Sequence, residues 1–251
     1  AREDATVDSL KFTSEDGTTI KKTALSNIED DTEALASDRI KAGRGSLTKD
    51  IKNKVTQINT LGNSEDKYED IISIVEATPT NDNIFKRQND GKFTATNGMT
   101  ASLINTYMKK SNYAGFKGSP QGTPSSKKPY TLGDKLDPQD YKKAFGIYKK
   151  EILKIIKTFE PEVGFSKNHR LALFMIIYNS GGGIVAPEGI KALKAGDFER
   201  ASHELFSKKA GLTKGKDSNG KLRNVDGLVK RRIIERTIFE TQGDLQLLKD
   251  I

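Results

Sequence analysis

The chain has 251 residues, 34% of them apolar and 30% charged, with a net charge of +8. This allows one large domain, or a domain with an appendage, under a surface rich in solvated polar groups. The absence of cysteine excludes a disulfide framework and thiol chemistry. Two distant histidines, His169 and His203, argue against a zinc site, and the longest apolar run, Leu171–Tyr178, falls far short of the roughly 18 residues that span a membrane.

In chain order, Val7-Asp-Ser-Leu-Lys-Phe12 alternates weakly and Ser14-Glu-Asp-Gly17 is a turn signal, so one hairpin is expected. An acidic cluster at 29–33 and a flexible joint at Gly43-Arg-Gly45 follow. A helix capped by Thr48 then carries Ile51, Val55 and Ile58 at helical spacing and stops at Gly62. Residues 1–62 read as an N-terminal arm or docking segment; an extension packed on the same core fits as well. A second helix starts at Ser64, with Tyr68, Ile71, Ile72 and Val75 on one face. Pro79 forbids much continuation beyond Ala77, which leaves Glu76 in the last turn. A solvated terminal Glu is the ordinary reading of that position.

Ile84-Phe85 and Lys92-Phe93-Thr94 flank Asn89-Asp90-Gly91, a strong hairpin turn, and Thr100–Lys110 reads as a helix. Residues 111–135 have no periodicity and are rich in Gly, Ser, Pro and Lys, a long loop of the kind that carries function. Asp137-Pro138 caps a helix whose inner face is Tyr141, Phe145, Tyr148, Ile152, Ile155 and Phe159. Ser166 caps the next, whose all-round apolar run Leu171–Tyr178 demands a central, buried position. Gly181-Gly-Gly183 ends it. Pro187–Leu193 is a short helix stopped by Gly196. Asp197 caps another, with Phe198, Ala201 and Leu205 inward; Asn219-Gly220 is a turn, and Asp226 caps a last helix that runs to about Thr241.

Charge is uneven along this order. Residues 1–70 hold 11 Lys/Arg against 15 Asp/Glu, and the rest 31 against 19. A basic body suits an anionic partner such as nucleic acid, a membrane surface or a cell-wall polymer, and equally serves solubility.

Several elements in one order resemble the phage-type lysozymes (muramidases). A helix ends on Glu76, a polar hairpin follows, and then Phe93-Thr94-Ala-Thr-Asn-Gly98 stands where the family has a Thr-x-Gly-x-Gly run. Tyr178-Asn179-Ser180-Gly181 is similar to the family's aromatic-Asn-x-Gly turn, and Lys194-Ala-Gly-Asp197 to its helix-Gly-Asp element. Gly227-Leu228-Val-Lys-Arg231-Arg232-Ile-Ile-Glu235-Arg-Thr-Ile-Phe239 matches its closing helix, Gly-Leu-x-x-Arg-Arg-x-x-Glu-x-x-x-Phe. The resemblance covers roughly residues 64–245. It implies a mainly α fold with a small β-hairpin lobe (an α+β lysozyme-like fold) over 63–251, with 111–135 inserted.

The resemblance also implies a reaction, cleavage of the N-acetylmuramic acid to N-acetylglucosamine bond of bacterial peptidoglycan, without cofactor or metal. Glu76 would be the general acid, Thr94 would hold the attacking water, and Arg231 would pair with Glu76. Asn179 would bind sugar, although an Asn there also caps a helix; Gly98 would shape the substrate site. Glu235 reads as a structural partner of Arg231 at i,i+4. Two departures stand out. Gln88 occupies the position of the family's second carboxylate, six residues before the Thr, and can orient water or substrate but cannot accept a proton. Asp90, or else Asp82, would have to take the base role, unless activity is weak or lost. Thr96 replaces the first Gly of the run. Lys117, Lys127 and Lys128 place positive charge on the inserted loop, beside the cleft or on a docking surface. The layout fits an enzyme that is virion-associated, extracellular or delivered to the bacterial periplasm, with residues 1–62 contacting a phage tail, a baseplate or a secretion machine. An inactive wall-binding module is the alternative. A nucleic-acid reading of the Lys230-Arg-Arg-x-x-x-Arg236 helix has no supporting motif, so neither a nucleic-acid partner nor a membrane span is expected.

Overall fold

A computed structural model of the chain describes residues 11–13, 19–21, 44–76, 83–87, 93–119, 128–180, 186–206, 214–216, 222–224 and 226–241. These residues are mainly helical. The helices are α1 (Arg44–Leu61), α2 (Tyr68–Glu76), α3 (Ala101–Lys110), α4 (Pro138–Lys157), α5 (Lys167–Ser180), α6 (Pro187–Lys194), α7 (Phe198–Phe206) and α8 (Asp226–Glu240). A 3-10 turn, Glu65–Lys67, leads into α2, and another, Thr96–Gly98, precedes α3. Strands are short and, among the described residues, form three antiparallel pairs: β1 (Lys11–Thr13) with β2 (Thr19–Lys21), β3 (Lys86–Arg87) with β4 (Phe93–Thr94), and β5 (Lys214–Lys216) with β6 (Leu222–Asn224). The expected β-hairpin lobe is not shown: among the described residues of that region, β3 and β4 pair over two residues only. Their register is Lys86 opposite Thr94 and Arg87 opposite Phe93.

Local chemistry accounts for the helix ends. Thr100 accepts from the Leu103 amide at 3.1 Å to open α3. Asp137 accepts from the Gln139 amide at 2.8 Å, with Pro138 at the first turn of α4, where its missing N–H is harmless. Ser166 Oγ accepts from His169 N at 3.0 Å before α5, and Asp197 accepts from Arg200 N at 3.1 Å before α7. The expected turn at Asn219-Gly220 and the glycines at 181–183 lie outside the described residues.

The core is built round α5. Every residue from Leu171 to Tyr178 is buried, as an all-round apolar run requires. The helix packs against α4 and α8, and α8 also touches α7 and α1. Tyr141, Phe145, Tyr148 and Ile152 of α4 face inward, with Ile156 completing that face and Ile155 and Phe159 only partly buried.

One expectation changes. The helix expected to start after Thr48 starts at Arg44, so Arg44-Gly45 is helix rather than joint. A helical glycine costs about 1 kcal/mol, less than is gained by burying Ile51, Val55 and Ile58, all at most 1% exposed. Residues 44–61, for which an arm and an extension on the same core were both open, pack into the common core against α2 and α8. The described parts of 111–135 are loop, as expected, and pack against α4. Phe116 and Tyr130 are buried. The buried Asp140 carboxylate of α4 accepts from the amides of Lys117 and Gly118 at 2.7 and 2.8 Å and from the Tyr130 hydroxyl at 2.7 Å. Lys117 pairs with Asp137 at 3.1 Å, and Lys128 is exposed; Lys127 lies outside the described residues.

Candidate active site

The apolar stripe of α2, with Tyr68, Ile71 and Ile72 buried, fixes the helix against the core and presents Glu76 at its C-terminal end. The Glu76 side chain is 19% exposed and meets the 5% exposed Arg231 of α8, whose Nη1 donates to Glu76 Oε1. Oε2 accepts no hydrogen bond among the described residues.

Behind this pair lies a buried charge network. Arg231 Nε donates to Glu235 Oε1 at 3.1 Å, one helical turn on, and Arg232 Nη1 lies 2.7 Å from Glu235 Oε2, close enough for an ion pair although the angle is not that of a hydrogen bond. Arg232 Nη2 donates to Asn179 Oδ1 at 2.8 Å. Glu235 is fully buried, and burial pushes its carboxyl above the usual range against the pull of Arg232 and Arg231. Burial lowers both guanidinium groups. In Arg231 the carboxylates of Glu76 and Glu235 more than offset it, so its proton is held more tightly than usual. Arg232 has Glu235 alone as a close counter-ion and a repelling neighbour in Arg231, and falls to about 10.

The turn after β4 closes the other side. Ala95 N donates to Met99 O at 3.1 Å, and Asn97 and Gly98 both take left-handed conformations, with φ of +59° and +70°. Gly98 lies against the carboxylate: a Cβ there would stand 3.0 Å from Glu76 Oε1 and 3.3 Å from Oε2, so both the backbone angle and the space call for glycine. Asn97 locks the turn to the core. Its Nδ2 donates to the Tyr141 hydroxyl at 2.7 Å, and its carbonyl accepts from the Tyr178 hydroxyl at 2.9 Å. Burial raises both phenols. The Tyr148 hydroxyl in turn donates to the Tyr178 carbonyl at 3.2 Å, which steadies the end of α5 just before Asn179.

Of the residues singled out in the sequence, the structure brings Glu76, Gly98 and Arg231 into contact. It connects Asn179 to them through Arg232 and Glu235. Thr94 is half-buried on β4, where it pairs with Lys86 and bridges to Thr100, and no hydrogen bond joins its side chain to Glu76 among the described residues. Gln88, Asp90 and Asp82 lie outside the described residues. Sequence reasoning overlooked Arg232, Tyr141 and the hydroxyl of Tyr178. Arg232 carried a signal: Val229, Arg232 and Glu235 recur at three-residue spacing on one helix stripe. The Lys230-Arg-Arg run is no surface patch, since Arg231 and Arg232 are buried. No group of three His, Cys, Asp or Glu able to hold a metal occurs among the described residues, and no helix among them is long and apolar enough to cross a membrane. No protein-family model matches the chain, and no curated protein matches it.

Proposed function

We propose that the chain is a muramidase of the phage-lysozyme type, cleaving the N-acetylmuramic acid to N-acetylglucosamine bond of bacterial peptidoglycan. The observation that carries the reading is the Glu76 carboxylate at a helix end, ion-paired with the buried Arg231 and faced by Gly98 in the turn that follows Thr94. In this reading Glu76 gives a proton to the leaving oxygen, and Arg231 steadies the carboxylate that remains. Thr94 holds the attacking water, with Asp90 as its base and Gln88 orienting water or substrate. Asn179 and Gly98 contact the sugar.

The helical body would then be a lysozyme-like fold with β3 and β4 as its small β lobe. Such an enzyme works virion-bound, extracellularly or in the bacterial periplasm, and docking on a phage tail, baseplate or secretion machine would fall to residues before α1. Gln88, standing where the family has a carboxylate, favours a second reading, an inactive module that binds wall glycan.

Turbidity loss of purified peptidoglycan separates the two. Wild type should clear the suspension, and Glu76→Gln should do so at least about a hundredfold more slowly, the usual scale of a lost general acid. Asp90→Asn and Gln88→Ala would then locate the second group. Wild type that sediments with the wall without clearing it would make the binding module the better account.

A further inference from the structure

α1 lies ahead of the region that resembles lysozymes, yet it reaches the end of the helix that bears Glu76. Its face of Ile51, Val55 and Ile58 is buried against α2 and α8, and Asp50 clasps Lys230 of α8 at 2.5 Å, beside Arg231. Between these contacts stands Lys54. Its Nζ donates to the carbonyl of Ile74, one of the last four in α2, which have no partner within their own helix. Two residues later comes Glu76. A cation at a helix C-terminus also complements the partial negative charge there.

We propose that Lys54 is a positioning residue for Glu76: through its bond to the Ile74 carbonyl it holds the last turn of α2, and so the carboxylate, in register with Arg231 and Gly98. The charges around Lys54 agree with a place at the site. Burial draws its ammonium below the usual lysine range, Asp50 and Glu76 work the other way, and Lys230 adds to the lowering, so Lys54 and Glu76 are close enough to feel each other. Lys54 is half-buried, with its stem on the packed side of α1 and its head on the carbonyl of a different helix. An arginine can make the same bond; a methionine keeps the stem and loses the donor.

The catalytic consequence rests on the muramidase reading, so the test needs one arm that does not. In the first arm, wild type, Lys54→Met and Lys54→Arg are compared on peptidoglycan. Lys54→Met should lower kcat roughly tenfold, the scale of a small misplacement of a reacting group, with KM little changed, and Lys54→Arg should recover most of it. In the second arm, amide hydrogen exchange over 68–76 should be faster in Lys54→Met and near wild type in Lys54→Arg, while α5 keeps its protection. Wild-type kcat together with wild-type protection in Lys54→Met would overturn the proposal. If wild type does not cut peptidoglycan, the muramidase reading fails, and exchange alone decides whether Lys54 holds the end of α2. Should Lys54→Met not fold, Lys54→Gln is read by the same criteria.

Discussion

His169 is a base with no use for its charge. Its ring is packed among Phe165, Phe198 and Phe239, with centroids 4.1 Å from Phe198 and 4.6 Å from Phe239, and its buried Nδ1 makes no hydrogen bond among the described residues. Desolvation brings its pKa from 6.5 to about 4. The sign of the linkage follows. Between pH 6.5 and 4 the unfolded chain binds a proton that the folded chain refuses, so stability falls as pH drops through that window and levels off below it. The full loss from this one group is roughly 3 kcal/mol. Denaturant titrations at intervals from pH 7.5 to 4 should show a slope that His169→Leu reduces; equal slopes in both proteins would mean the ring is solvated after all. The same desolvation acts on Arg232, and there a buried carboxylate answers it. Burial shifts ionisable groups in this core even where a partner is present: Arg232 still falls to about 10 and the Glu235 carboxyl still rises.

Helix α1 decides how far the cooperative unit extends. Ile58 is fully buried where α1 meets the rest of the core. Ile58→Ala should therefore cost about 2–5 kcal/mol in a single unfolding transition, seen in far-UV circular dichroism and in α5 exchange alike. An unchanged midpoint would restore α1 to the role of a separate arm. Helices were the most legible elements in the sequence because each carried its own end signals, such as Asp137-Pro138, Thr100 and Asp197, and because Leu171–Tyr178 has no polar face to expose. The start of α1 was misread because glycine marks flexibility in sequence, whereas burial that begins at Ile51, under two turns on, keeps Gly45 helical. Burial of polar side chains was harder to see. Asp140, Arg232 and Glu235 belong to types usually found outside, and what draws them in lies on other elements or on backbone amides. Within the candidate site, Glu76 and Arg231 could be singled out by their place in a motif. Lys54 could not, because its partner is a main-chain carbonyl, which leaves no mark on the sequence, and because Lys49 and Lys52 on the same helix look just like it.

At the scale of the whole molecule, the chain beyond residue 70 carries the excess of positive charge, and on the muramidase reading that excess should govern binding to an anionic wall. Salt shortens the screening length from about 10 Å at 0.1 M to about 3 Å at 1 M, so the fraction of the Glu76→Gln protein that sediments with peptidoglycan should fall severalfold over that range. Retention insensitive to salt would point to sugar contacts in the cleft as the main attraction. The distances of the site along the chain carry a further meaning, one of time. Arg231 lies 155 positions after Glu76, and Lys230 lies 180 after Asp50. At about 5–20 residues per second, a ribosome makes Glu76 about 8–30 s before it makes Arg231. For that interval the nascent chain has a carboxylate without its counter-ion and an α1 without the α8 it clasps. The site is therefore completed only once α8 has been made, and a chain that stops short of α8 carries Glu76 but no assembled centre around it.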